Sequence, residues 1–178
     1  DNSTAFSLLP PIATPELQAF MIVQMDVLSD LARRLHLEDE ARRWQQEADA
    51  HLEVFLSRCI RDDLPVAIQL TTGAIVENES LLPYEILVLG ERLPENIRRK
   101  VISTVSRDFF TAYGFATEKP TSPLYRANGY WRGPIWAPST MLMIDGLEKC
   151  GETALAQEAA RRFIAMTAAS GFAENFDA

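Results

Sequence analysis

The sequence predicts an all-α fold of three consecutive helical hairpins. Three observations carry this. Apolar residues recur at helical spacing in successive segments. Each hairpin couples a mostly apolar segment to an amphipathic one. The breaks between them hold turn-forming Gly, Pro and Asp. Hairpins of that kind stack into an inner and an outer layer, as a solenoid or a closed α/α toroid. The hairpins show no close sequence repeat, which disfavours a regular tandem array.

The first hairpin begins near residue 15. Thr14 can cap a helix over 15–35, and Pro15 suits its first position. Leu17, Phe20, Met21, Met25, Leu28, Leu31, Ala32 and Leu35 recur at helical spacing, and Ile22, Val23 and Val27 extend the apolar surface. Burial on several sides is therefore expected. A helix over 38–59 follows. Ala41, Trp44, Ala48, Leu52, Phe55 and Cys59 share one stripe, and charged residues fill the opposite face. Glu38, Asp39 and Glu40 oppose the positive end of its dipole.

Residues 61–79 break the pattern with Asp62, Asp63, Pro65 and Gly73, and 66–70 read as a short strand or extended loop. The second hairpin pairs the apolar segment 80–90 with a helix over 94–113, which Gly114 can close. Residues 114–137 form a long loop rich in Gly, Pro and aromatics. Long unstructured loops inside compact domains usually carry function. The third hairpin pairs 138–150 with 152–170 and leaves a tail over 171–178.

Composition narrows the partners. The 178 residues carry a formal net charge of −8 and a pI of about 4.8. Nucleic acid and anionic membranes both call for basic patches, so neither is expected, and a neutral or cationic ligand suits the chain better. No apolar run approaches a membrane span. Cys59 and Cys150 are far apart, read as free thiols, and lack metal-ligand spacing. His36 and His51 have no companion ligands, so a zinc site is not expected.

The chemistry concentrates in two places. The loop Tyr125-Arg126-Ala127-Asn128-Gly129-Tyr130-Trp131-Arg132-Gly133-Pro134-Ile135-Trp136 sets four aromatic side chains among two arginines. A sugar needs this mixture, because its C–H face packs on an aromatic ring while its hydroxyls require fixed polar partners. The same residues could instead lid a core. Glu174 lies between Phe172 and Phe176, and a carboxylate partly buried there would be suited to acid/base work. Asp145 and Asp26 interrupt apolar helices and read as local hydrogen-bonding groups.

DNSTAFS, then GYWRGPIWAPSTMLMIDGLEKCG, then GFAENFDA, in this order and spacing, resemble glycoside hydrolase family 63 and the related bacterial glycogen-debranching-like and trehalase-like enzymes. The resemblance implies an (α/α)₆ barrel that hydrolyses α-glycosidic bonds with inversion, with α-glucosides as the first expectation. It casts Asp1 as the general acid and Glu174 as the general base. It also implies that Tyr130, Trp131, Arg132 and Trp136 line the sugar pocket, with Tyr125 and Asn2 beside them. A carbohydrate substrate is the implied partner, and the implied hydrolysis requires no metal or organic cofactor.

The family normally has a Gly before the Asp, a Thr-Gly segment and a last helix after the Asn-Phe-Asp-Ala, and further hairpins ahead of both. The chain is accordingly expected to be part of a single (α/α)₆ catalytic domain, residues 1–178, whose remainder is its other partner. A cytoplasmic location is expected. Two other classes compete: a non-catalytic carbohydrate-binding or helical scaffold module, and a toroid lyase or isomerase.

Overall fold

The computed structural model describes residues 11–178, so Asp1 and Asn2 lie outside the described residues. Helix α1 spans Pro15–Arg34 and α2 spans Glu38–Cys59. A 3-10 helix covers Leu82–Arg92, followed by α3 over Glu95–Asp108. Helices α4, Ala137–Lys149, and α5, Thr153–Ser170, complete the third pair.

Both α1 and α4 pack on the 3-10 helix, so the first members of the three hairpins lie side by side as an inner layer. α2 packs on α1, α5 on α4 and α3 on the 3-10 helix, forming the outer layer. The main core lies between the layers and includes Ile22, Phe55, Ile86, Leu87, Val101, Met143 and Leu147.

Close approach of α4 to the 3-10 helix depends on two glycines. A Cβ on Gly146 would stand 2.7 Å from the Leu87 Cβ, and one on Gly90 would stand 2.7 Å from the Lys149 Cβ. Gly90 also takes φ 55°, a left-handed value that glycine adopts without steric cost. This kink, together with Pro83 near the start of the segment, accounts for a 3-10 helix where a regular one was expected over 80–90.

Three further expectations change. Thr14 occupies the N-cap position of α1 in extended geometry but makes no side-chain cap; its hydroxyl bonds Glu16 instead. α3 stops at Asp108, and Gly114 does not close it; Phe110 and Phe115 form an isolated bridge, and Thr111 N–H donates to the Gly114 carbonyl. The apolar stripe of α1 faces the core only in part, through the buried Ala32 and through Phe20, which packs against the core. Ala19, Ile22 and Ser29 are buried beside them, whereas Leu17, Met21, Val27, Leu31 and Leu35 are exposed. Small residues let α2 approach closely, and the bulky ones are left to an outward face.

The loops that precede the inner helices are stitched together at one end of the layer. Strand β1, Ile12–Ala13, pairs with β4, Ala67–Gln69, which pairs with β5, Ile75–Val76. β2, Ile60–Arg61, and β3, Leu64–Pro65, form a separate hairpin. Ser80 bridges to Glu118, and Leu81 N–H donates to the Thr117 carbonyl. Finally β6, Ile135–Trp136, pairs with β7, Asn175–Phe176.

Cys59 and Cys150 are free thiols, as expected. Among the described residues no cluster of His, Cys, Asp and Glu could hold a metal, and no helix is long and apolar enough to cross a membrane.

Candidate active site

The aromatic loop folds into a platform. Trp131 and Trp136 stack with ring centroids 4.3 Å apart and planes 17° from parallel. Tyr130 meets both rings edge-on, at 5.9 Å from Trp131 and 4.8 Å from Trp136. Trp136 Nε1 donates to the Tyr130 carbonyl at 2.9 Å. Tyr130 holds φ 59°, left-handed backbone for a bulky residue, a strain that occurs at functional sites when the surroundings enforce it. Trp136 is buried, Trp131 and Arg132 are half-buried and Tyr130 is exposed. Trp131 Nε1 is buried with no hydrogen-bond partner, an unusual state for an indole donor.

Contacts from Thr117 hold the loop in place. Its hydroxyl donates to the Pro134 carbonyl at 2.8 Å, and its N–H reaches the Gly133 carbonyl. Next to it Glu118 is fully buried. Its Oε1 accepts from Ser122 Oγ at 2.7 Å, and burial pushes its carboxyl above the ordinary range, against the nearby charge of Arg132. Sequence reading passed over both residues, since an isolated Thr-Glu carries no signal until the loop closes on it.

The tail joins this platform at two points. Trp136 pairs with Asn175 and Ile135 with Phe176, and Tyr125 Oη donates to Asp177 Oδ1 at 3.2 Å. Phe176 anchors the tail, packing edge-on against Phe163 with Met166 and Ile135 in a small core. Glu174 therefore lies next to a segment fixed to the aromatic loop. The expected partial burial of Glu174 is corrected, because only Phe176 docks. Phe172 is fully exposed and Glu174 is exposed with it.

Of the sequence-derived site residues, Tyr125, Tyr130, Trp131, Arg132, Trp136 and the Glu174 segment share one end of the inner layer. Asp1 and Asn2 fall outside the described residues. Asp145 pairs with Lys149 one turn on, in keeping with its reading as a local partner, whereas Asp26 pairs with Arg92 on another element, a correction to the same reading for Asp26.

Stacked helical hairpins carrying an aromatic platform beside an acidic tail define the class: this is the fold of the (α/α)₆ glycosidases, of which the chain supplies three hairpins. The chain belongs to the family described as the mannosylglycerate hydrolase MGH1-like glycoside hydrolase domain, whose sequence pattern matches residues 2–178.

Among curated relatives, a mannosylglycerate hydrolase of Thermus thermophilus is 34% identical over 58 residues, covering 33% of this chain and 14% of that protein. The crystal structure of a GH63 mannosylglycerate hydrolase from another strain of Thermus thermophilus, in complex with Tris, superposes with a TM-score of 0.80 at 20% identity, covering 93% of this chain and 40% of that one. The neutral trehalase Nth1 from Saccharomyces cerevisiae gives 0.76 at 17% identity, covering 93% of this chain and 34% of that one. The chain thus spans well under half the length of these structures.

Proposed function

We propose that this chain is part of the catalytic domain of an inverting α-glycosidase, with Glu174 as general base and Asp1 as general acid. The observation that carries the reading is the β6–β7 pairing, which fixes the Glu174 segment to the stacked Trp131 and Trp136. Inversion needs one protonated carboxyl to donate to the leaving oxygen and one carboxylate to activate water on the opposite face. The two groups stand about 6.5–9.5 Å apart, leaving room for that water. The half-buried Trp131 and the exposed Tyr130 offer aromatic surface suited to the C–H face of a pyranose. Tyr125, Arg132 and Asn2 complete the polar lining.

The relatives' names favour mannosylglycerate over the α-glucosides first expected. That substrate carries a carboxylate, for which Arg132 is the cation in the platform, although the chain as a whole is acidic. The exposed Leu17, Met21, Val27, Leu31 and Leu35 form the face on which the remaining hairpins of the domain pack.

Proton NMR of the fresh product tests the reaction. The β-anomer released from an α-linked substrate supports inversion. Retained configuration, or an unsaturated product, sinks it. Glycan binding without turnover by the full-length protein would favour a carbohydrate-binding module instead.

A further inference from the structure

The inner layer has a polar contact at the end that carries the loops. Glu16 lies in the first turn of α1, Glu85 near the start of the 3-10 helix, and Ser139 and Thr140 in the first turn of α4. All four are buried, with exposures of 3%, 3%, 2% and 2%. Ser139 hydrogen-bonds the Glu85 carboxyl, while Glu85 Oε1 and Thr140 Oγ1 have no hydrogen-bond partner. Beyond this contact Leu87 presses against Gly146, so the two helices are held in register with little room to slide.

An apolar side chain would fill the Glu85 position at lower desolvation cost, so packing alone gives no reason for a carboxyl group there. Its bonded partner lies just downstream of Trp136. We propose that Glu85 is a positioning residue for the aromatic platform: by holding Ser139 it fixes the first turn of α4, and with it Trp136, on which Trp131 stacks. Its consequence for turnover rests on the glycosidase reading, but the positioning itself does not.

The contact contains an ionisable group. Burial pushes the Glu85 carboxyl up to about 7, and the charge of Glu16 adds to the rise. α3, α4 and β3 also pack around the 3-10 helix, and Glu16, from α1, is the charged group acting on Glu85 among the described residues. Ionisation would set a second negative charge beside Glu16 in apolar surroundings, whereas the Ser139 hydrogen bond favours the ionised form, so ionising Glu85 does not release Ser139.

Circular dichroism of the ligand-free full-length protein tests this, because two stacked indoles give an exciton couplet whose size depends on ring separation and angle. Glu85→Ala is expected to reduce the Trp131–Trp136 couplet by about half while the helical signal is kept, since rotating a ring alters the coupling. Glu85→Gln, whose amide oxygen can still accept from Ser139, is expected to keep the full couplet.

A full couplet in Glu85→Ala overturns the proposal, as does a couplet in Glu85→Gln weakened as far as in Glu85→Ala. If Glu85→Ala does not fold, Ser139→Ala decides. A weakened couplet supports the proposal and an unchanged one sinks it. Should the couplet behave as expected while the wild-type protein cleaves no glycoside, the functional reading fails and the positioning role stands.

Discussion

Trp136 and Asn175 face each other across a two-residue antiparallel ladder, and Glu174 is the next residue along. Nothing local to either segment dictates this pairing. It follows from α5 turning the chain back beside α4, so that the tail after Ser170 returns to the end where α4 begins. The hairpin thereby converts two segments far apart in sequence into one surface with an aromatic floor and an acidic rim.

Glu174→Gln removes the proposed water activator while preserving shape. In the full-length protein kcat is expected to fall by about 10²–10⁴-fold, the usual contribution of a positioned general base, with sugar affinity nearly unchanged. Steady-state kinetics with calorimetric binding to the same variant checks both halves. Retained turnover would remove Glu174 from the role.

Phe176→Ala tests what anchors the tail. Phe176 is 9% exposed and packs edge-on on Phe163 with ring centroids 5.9 Å apart. Truncating a core Phe costs about 3–5 kcal/mol, more than a short ladder whose bonds contribute about 1 kcal/mol each. The tail should undock, raising hydrogen exchange over residues 171–178 and lowering kcat, while the main core and its melting temperature change little. Unchanged exchange there would show that Phe176 is not the anchor.

The helix pairs and the aromatic loop were legible in the sequence because each signal is local. The stripe from Ala41 to Cys59 fixes α2, and Pro15 fixes the start of α1. Which face of α1 meets the core was not legible. Leu17, Met21 and Leu31 repeat at the same spacing as Ile22 and Ala32, and only the close fit against α2 selects the small residues. Glu85 escaped notice within SLLPYEILVLG, since a lone carboxyl in an apolar run shows no partner until Ser139, far along the chain, comes to meet it. The Tyr125–Asp177 bond is long-range in the same way.

Stability should fall as the solution is made less acidic. Glu85 has its carboxyl raised from 4.5 to about 7 in the folded protein. Below pH 4.5 the group is protonated in both folded and unfolded chains, so folding carries no ionisation penalty from it. Between pH 4.5 and about 7 the unfolded chain ionises while the folded one stays protonated, and by the upper end folding has lost up to about 3 kcal/mol. Burial raises Glu16 and Glu118 too, so they act with the same sign. Asp108, held low chiefly by its hydrogen bond from Arg107, opposes the trend only in stronger acid. Denaturant unfolding at about pH 5 and about pH 8, either side of the Glu85 transition, should show the difference, and Glu85→Gln should shrink it. An equal gap in that variant would refute the assignment.

Gly133 and Gly151 offer a matched comparison of crowding with backbone strain. Both occupy positive φ, 154° and 82°, where L-residues are disfavoured. A Cβ on Gly151 would meet nothing within 4 Å, whereas one on Gly133 would collide with the Arg126 carbonyl oxygen and stand 3.2 Å from the Tyr125 ring. Gly151→Ala should therefore cost only the strain, about 1–3 kcal/mol, and leave the platform intact. Gly133→Ala must also push Arg126 away, and backbone cannot yield as a flexible side chain does. The Arg126–Arg132 backbone bond and the Thr117 contacts on Gly133 would break, releasing Tyr130 from its left-handed conformation and unstacking Trp131 from Trp136. Intrinsic fluorescence and sugar binding should change in Gly133→Ala alone. Equal effects in both alanine variants would mean that φ, rather than contact with Arg126, determines the loop.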